Sequence, residues 1–108
     1  MARESVIDLV ALAARSGRPV WSHQCEDLNI NLLVLAAGDG VTRHVNRLVD
    51  VLIVGIEGEG IIDVEGVEHV VTAGRALVVP KGVSRAIQVR GNRFAYLSCH
   101  RRRPGLGP

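Results

Sequence analysis

At 108 residues, the chain is long enough for one domain with a modest core and too short for two. Apolar residues make up 47% of it and charged residues 22%, a balance that excludes an intrinsically disordered chain. The net charge of +2 conceals an uneven distribution. From Glu57 to Glu68 the chain carries acids and no Lys or Arg, and from Lys81 to Arg103 it carries bases and no acid. These two segments are expected to attract each other, within one chain or between chains.

Trp21, Phe94 and Tyr96 are the aromatic residues, so the core must come from Val, Leu, Ile and Ala. Many of these are β-branched and suited to strands. Cys25 and Cys99 are too few and too far apart for a disulfide framework or a zinc knuckle, and a reduced, cytoplasmic protein is the expectation. No apolar run approaches the roughly 18 residues that a membrane helix needs. Arg101-Arg102-Arg103 comes without a recognition helix or an aromatic-studded RNA motif, so a solvated tail is expected and nucleic acid is not.

In chain order, Ser5 and Asp8 resemble a capping box that opens a helix over about residues 5–16, closed by Gly17 and Pro19. VIDLVALAAR carries an ALA pattern like a leader cleavage site, but Asp8 and the lack of net positive charge over Met1 to Ser5 favour the helix. Short strands follow at Trp21–Gln24 and Asn29–Ala37, the second ending at Gly38-Asp39-Gly40. Val49–Ile56 is a nearly continuous apolar run, as for a strand buried in a small barrel. Glu57-Gly58-Glu59-Gly60 is expected to turn the chain into a strand at Ile61–Val64. Further strands are expected at His69–Thr72, Ala76–Val79, Arg85–Val89 and Phe94–Cys99, the last two flanking a Gly91-Asn92 turn. The pattern predicts an all-β barrel or sandwich. It divides into helix and linker over 1–20, barrel over 21–100 and basic tail over 101–108.

The spacing of glycines, prolines and polar residues resembles that of the cupin family. Its first motif runs G-x5-H-x-H-x3/4-E-x6-G. Gly38 and His44 match it, Asn46 stands at the second histidine, Val51 at the glutamate and Gly58 at the closing glycine. With the shorter spacer the glutamate position is Asp50, and Gly58 then falls out of register. In the second motif, G-x5-P-x-G-x2-H-x3-N, Gly74, Pro80 and Gly82 match, Arg85 stands at the histidine and Val89 at the asparagine. The resemblance spans roughly residues 28–99 and implies an all-β, double-stranded β-helix (jelly-roll) barrel with one short N-terminal helix. It also implies a functional pocket inside that barrel.

The departures fall on the family's metal ligands. Asn offers a neutral carbonyl oxygen, Val offers no lone pair and Arg is a permanent cation, so no metal is expected in the usual position. Arg85 suits an anion, because its guanidinium can grip a carboxylate or phosphate through two parallel hydrogen bonds. His44 and Asn46, two apart in a strand, would share a face with it, and Val51, Ile53 and Ile87 would supply apolar walls. The alternative for Arg85 is a buried ion pair with Asp50. If Tyr96 and Ser98 face inward, Tyr96 and His100 join His44. The ligand-binding residues expected are then His44, Asn46, Arg85 and Tyr96, and a metal on His44 and His100 is the alternative. His69 is expected to face solvent, and His23 lies outside the matched region.

Three functions follow. The first is a metal-free module binding a small, acidic molecule, a carboxylate or phosphate. The second is an oxygenase- or isomerase-type enzyme, with one divalent transition metal as cofactor or with His44 as acid and base. The third is a barrel filled by its own side chains. Under each a homodimer is expected, because the helix carries Val6, Ile7, Leu9, Val10 and Leu12 and must cover its own barrel or a partner's.

Overall fold

The computed structural model describes residues 6–102. Ser5 and residues 103–108, most of the expected tail, lie outside that range. One helix, α1 (Leu9–Ala13), precedes seven strands: β1 (Gly17–Gln24), β2 (Leu28–Ala36), β3 (Gly40–Val45), β4 (Val51–Val64), β5 (Val67–Thr72), β6 (Ala76–Val79) and β7 (Ser84–Arg101).

The helix is shorter than the expected 5–16. Asp8 caps it, its Oδ1 accepting from the Ala11 N–H at 3.0 Å. It stops early because the chain from Gly17 is drawn into β1, whose Trp21–Gln24 segment pairs antiparallel with Asn29–Leu32 of β2. Ladder pairing satisfies backbone groups that a frayed last helical turn would leave to water. Ala13 is fully buried against Val34 and Ala95, so the helix covers its own barrel.

Two expected turns do not form. Glu57-Gly58-Glu59-Gly60 lies within β4, and Gly91-Asn92 lies within β7. Both strands instead bend. β4 carries register shifts between Gly55 and Glu57 and between Gly58 and Gly60, and β7 passes Gly91 at φ 90°. A bulge adds a residue on one strand and sharpens its twist, which lets a long strand change sheets without breaking. Gly58 is suited to this, since its φ is 75° and a side chain there would strike the Arg93 carbonyl.

The bends create two layers. In one, Phe94–Arg101 of β7 lies between β2 and the Val51–Gly58 half of β4, with β1 beyond β2 and β6 beyond β4. In the other, Ser84–Val89 of β7 lies between β3 and the Gly60–Val64 half of β4, with β5 beyond β4. The core between the layers holds Leu35, Val51, Ile53, Ile62, Val79, Ile87 and Phe94, most of them aliphatic as composition requires. Phe94 is fully buried, and Gly60 leaves the space that its ring occupies. Burying such a ring contributes about 1.5–3 kcal/mol.

The acidic and basic segments meet within the chain, on the outside of these paired strands. Arg93 approaches Glu57 at 3.5 Å and Arg90 approaches Glu59 at 3.8 Å. Both pairs are at least partly exposed to water and contribute about 0–1 kcal/mol each. No helix among the described residues is long and apolar enough to cross a membrane.

Candidate functional site

The site is a cavity of about 320 Å³ inside the barrel. Alternation along the strands determines what faces it. β7 contributes Arg85 and Ile87 before its bend and Tyr96 and Ser98 after it. The apolar wall is Leu33, Val41, Val51, Ile53 and Ile87, and His44, Asn31, Arg18 and Pro19 complete the lining.

His44 and Arg85 are partners in the β3–β7 register. Residues directly opposite in an antiparallel pair share a face with Cβ atoms about 4.5–5.5 Å apart. The register thus brings together two positions that lie 41 residues apart in the chain.

Arg85 is 9% exposed. No carboxylate of the described residues lies within ion-pair distance of its guanidinium, and its side chain makes no hydrogen bond there. The expected alternative, a pair with Asp50, does not form, because Asp50 turns away and accepts from the Lys81 N–H at 2.8 Å. Every fully buried polar side-chain atom has a partner, so the unbonded Arg85 nitrogens open to the cavity. Burial lowers the pKa of Arg85 from its ordinary value and Tyr96 opposes that shift. An arginine remains cationic under such a shift.

Its neighbour Arg43 provides a contrast. Arg43 donates to Ser84 Oγ at 2.8 Å and pairs with Asp63 at 2.8 Å on the outside of the barrel. That hydrogen bond, with one from the Gly66 N–H, holds the Asp63 carboxyl below its usual range. Asp63, Glu57 and Glu59 pair on the outer surface, and no carboxylate of the described residues lines the cavity.

Tyr96 is buried, stacks on Phe94 with ring centroids 5.1 Å apart, and presents its hydroxyl to the cavity. Burial, partly opposed by the charges of Arg18 and Arg85, pushes that hydroxyl up to about 12. His44 Nδ1 lies 2.9 Å from the Thr42 carbonyl. A carbonyl can only accept, so Nδ1 carries a hydrogen, and in the neutral ring Nε2 is the nitrogen with the lone pair.

Two predicted residues are elsewhere. β3 ends at Val45, so the two-residue alternation no longer applies at Asn46. Its Oδ1 accepts from the N–H groups of Leu48 and Val49 at 3.0 and 3.2 Å, and its carbonyl accepts from the Gly82 N–H at 2.7 Å. Asn46 organises a turn and does not line the cavity. His100 pairs with Val51 near the end of β7, and its ring lines a separate groove, with Nδ1 at 3.0 Å from the Arg101 carbonyl. His69 is half-buried on β5 and His23 stacks on Trp21, neither of them in the cavity lining.

The four family positions, His44, Asn46, Val51 and Arg85, do not fit a divalent metal. One imidazole remains, the amide oxygen is committed to the turn, and a guanidinium cation stands at the fourth corner. Among the described residues no group of three or more His, Cys, Asp or Glu side chains is placed to hold one elsewhere.

Arg18, Asn31 and Ser98 were not singled out as site residues by the sequence. Ser98 shares parity with Tyr96 and could have been found that way. Arg18 carries no such signal, because it enters from a strand expected to begin only at Trp21.

Comparison with solved structures decides the architecture. A cupin-like protein from Methanocaldococcus jannaschii with a double-stranded β-helix fold superposes with a TM-score of 0.68, at 24% identity over 76% of each chain. The chain has the cupin fold. A cupin-2 domain protein from Shewanella frigidimarina matches at TM-score 0.74 and 17% identity, over 90% of this chain and 95% of that one. TT1209 from Thermus thermophilus matches at 0.77 and 25% identity, over 92% and 98%. No family model and no curated protein matches the sequence.

A larger open groove of about 510 Å³ shares no lining residue with the cupin cavity. It runs along Leu28, Leu48, Leu52, Val78 and Cys99 on the outer side of the barrel. Volume does not make it the site, since the converging polar groups are in the smaller cavity.

The Tyr96 environment yields a test. The chain has one tyrosine, and its phenolate absorbance in the folded protein should titrate with a midpoint near 12. An exposed tyrosine titrates near about 10. The folded state retains a proton that the unfolded state loses, so stability should be intact below about pH 10 and fall as pH rises through about 12. A midpoint near 10 would show that the hydroxyl is not enclosed.

Proposed function

We propose that this cupin barrel is a metal-free module that binds a small acidic molecule. The observation that carries the reading is Arg85, a buried cation opening into a cavity where no carboxylate of the described residues partners it or lines the wall. A buried charge is costly unless paired, and breaking such a pair typically costs about 3–5 kcal/mol. A ligand carboxylate or phosphate would supply the missing partner through two charge-assisted hydrogen bonds. Tyr96, kept neutral, can donate a third, and the wall of Leu33, Val51, Ile53 and Ile87 would take the ligand's apolar part.

His44 favours a second reading, an acid–base enzyme. It lies opposite Arg85 in the β3–β7 register and lines the same cavity, so it is a candidate base for proton removal next to a carboxylate held there. Isomerase-type chemistry would follow without a metal.

We also infer that a second copy of the chain covers the outer groove. Leu28, Leu48, Leu52 and Val78 are exposed around it, with Asp27 and Asp50 and also Lys81 and Arg101 at its rim. In a two-fold pair the same patch faces itself, so the acids of one copy can meet the bases of the other. Sedimentation should find a dimer that Leu52→Glu converts to monomer, and a monomeric wild-type protein would overturn the inference.

For the cavity, titration calorimetry with propionate and with inorganic phosphate should detect binding in the wild type. Arg85→Met should weaken it by at least about tenfold, the loss of a hydrogen bond to a charged group. Unchanged affinity in a folded Arg85→Met protein would remove Arg85 from the site. Unfolding of that variant, with Arg85→Lys restoring the fold but no wild-type anion binding, would make Arg85 a structural residue.

A further inference from the structure

Building on the anion-binding reading, we propose that the ligand carries two negative charges, with Arg18 of β1 as the second recognition residue. Arg18 lines the same cavity as Arg85 but is exposed, which puts it at the mouth. Its Nη2 donates to the Gly40 carbonyl at 2.9 Å, so the side chain reaches from β1 to the start of β3. That bond uses one of five guanidinium donors, and no described carboxylate lies within ion-pair distance of the group.

Among the described residues the cavity therefore holds two guanidinium groups and no acid, with the Tyr96 hydroxyl close enough to feel both charges. Asn31 does not replace a counter-charge, since its Oδ1 already accepts from Ser22 Oγ at 2.7 Å. A monoanion held by Arg85 would leave Arg18 uncompensated. A dianion pairs both and removes the repulsion between them, with a smaller gain at Arg18 because water screens an exposed charge. The two charges can sit on a dicarboxylate or on a single phosphate group, and the same two residues would recognise either.

The test is calorimetry at constant ionic strength with propionate, succinate and inorganic phosphate, on the wild type and Arg18→Gln. Succinate or phosphate should bind the wild type severalfold more tightly than propionate, beyond the statistical factor of a second carboxylate. Tighter succinate would indicate charges at two ends, and tighter phosphate charges on one group. Arg18→Gln should weaken the dianions severalfold more than it weakens propionate, removing their preference. Propionate binding without a dianion preference, or a preference that survives Arg18→Gln, overturns the role of Arg18 and leaves Arg85 standing. Failure of all three anions to bind overturns the anion-binding reading itself, and this inference with it.

Discussion

The pairing of β4 with β7 is the constraint on which the molecule depends. These strands run Val51–Val64 and Ser84–Arg101, and they stay paired from Val51–His100 through Val64–Arg85. The pairing breaks register between Gly55 and Glu57 and between Gly58 and Gly60, and strands of that length cannot remain flat, because they twist. Bulges around Gly55–Gly60 and the left-handed Gly91 convert the twist into a bend, and each strand then serves both layers. The cavity lies where the bent halves face each other. Arg85 comes from one half of β7 and Tyr96 from the other.

That bend also explains what the sequence could and could not reveal. Glycine clusters at 57–60 and 91–92 read as turns, since glycine marks both a reversal and a bulge, and only long-range pairing tells them apart. The glycine and proline spacings at Gly38, Gly58, Gly74, Pro80 and Gly82 were legible because they report backbone shape, which one chain displays directly. Arg85 was marked by its place in the resemblance's second motif, with Val51, Ile53 and Ile87 as its expected walls. Asn46 could not be placed by strand parity, because parity fails one residue past the end of β3, where its side chain is drawn to the backbone of Leu48 and Val49. Arg18 was hidden for a different reason. It reaches the cavity through the packing of β1 against β2, and no local pattern encodes that contact.

Electrostatics then separates the inside of the barrel from the outside. Outside, Arg43, Arg90 and Arg93 each meet a carboxylate. Inside, Arg85 meets none, although burial raises the cost of leaving it so. A fold that filled its own barrel would have an aliphatic side chain there, or an acid opposite it. Where the family's pattern has metal-ligating side chains, this chain keeps one histidine with a free ring nitrogen and puts a guanidinium beside it. The wall that would enclose a metal cation in the family's pattern here encloses a cation of its own.

The most direct measurement is the NMR signal of the Arg85 Nε–H group, assigned by its loss in Arg85→Lys and followed as succinate is added. The account predicts a signal without a fixed intramolecular partner that shifts saturably as the anion pairs with it. A signal that is already locked by a protein carboxylate, or one that does not respond while the fold stays intact, would contradict it.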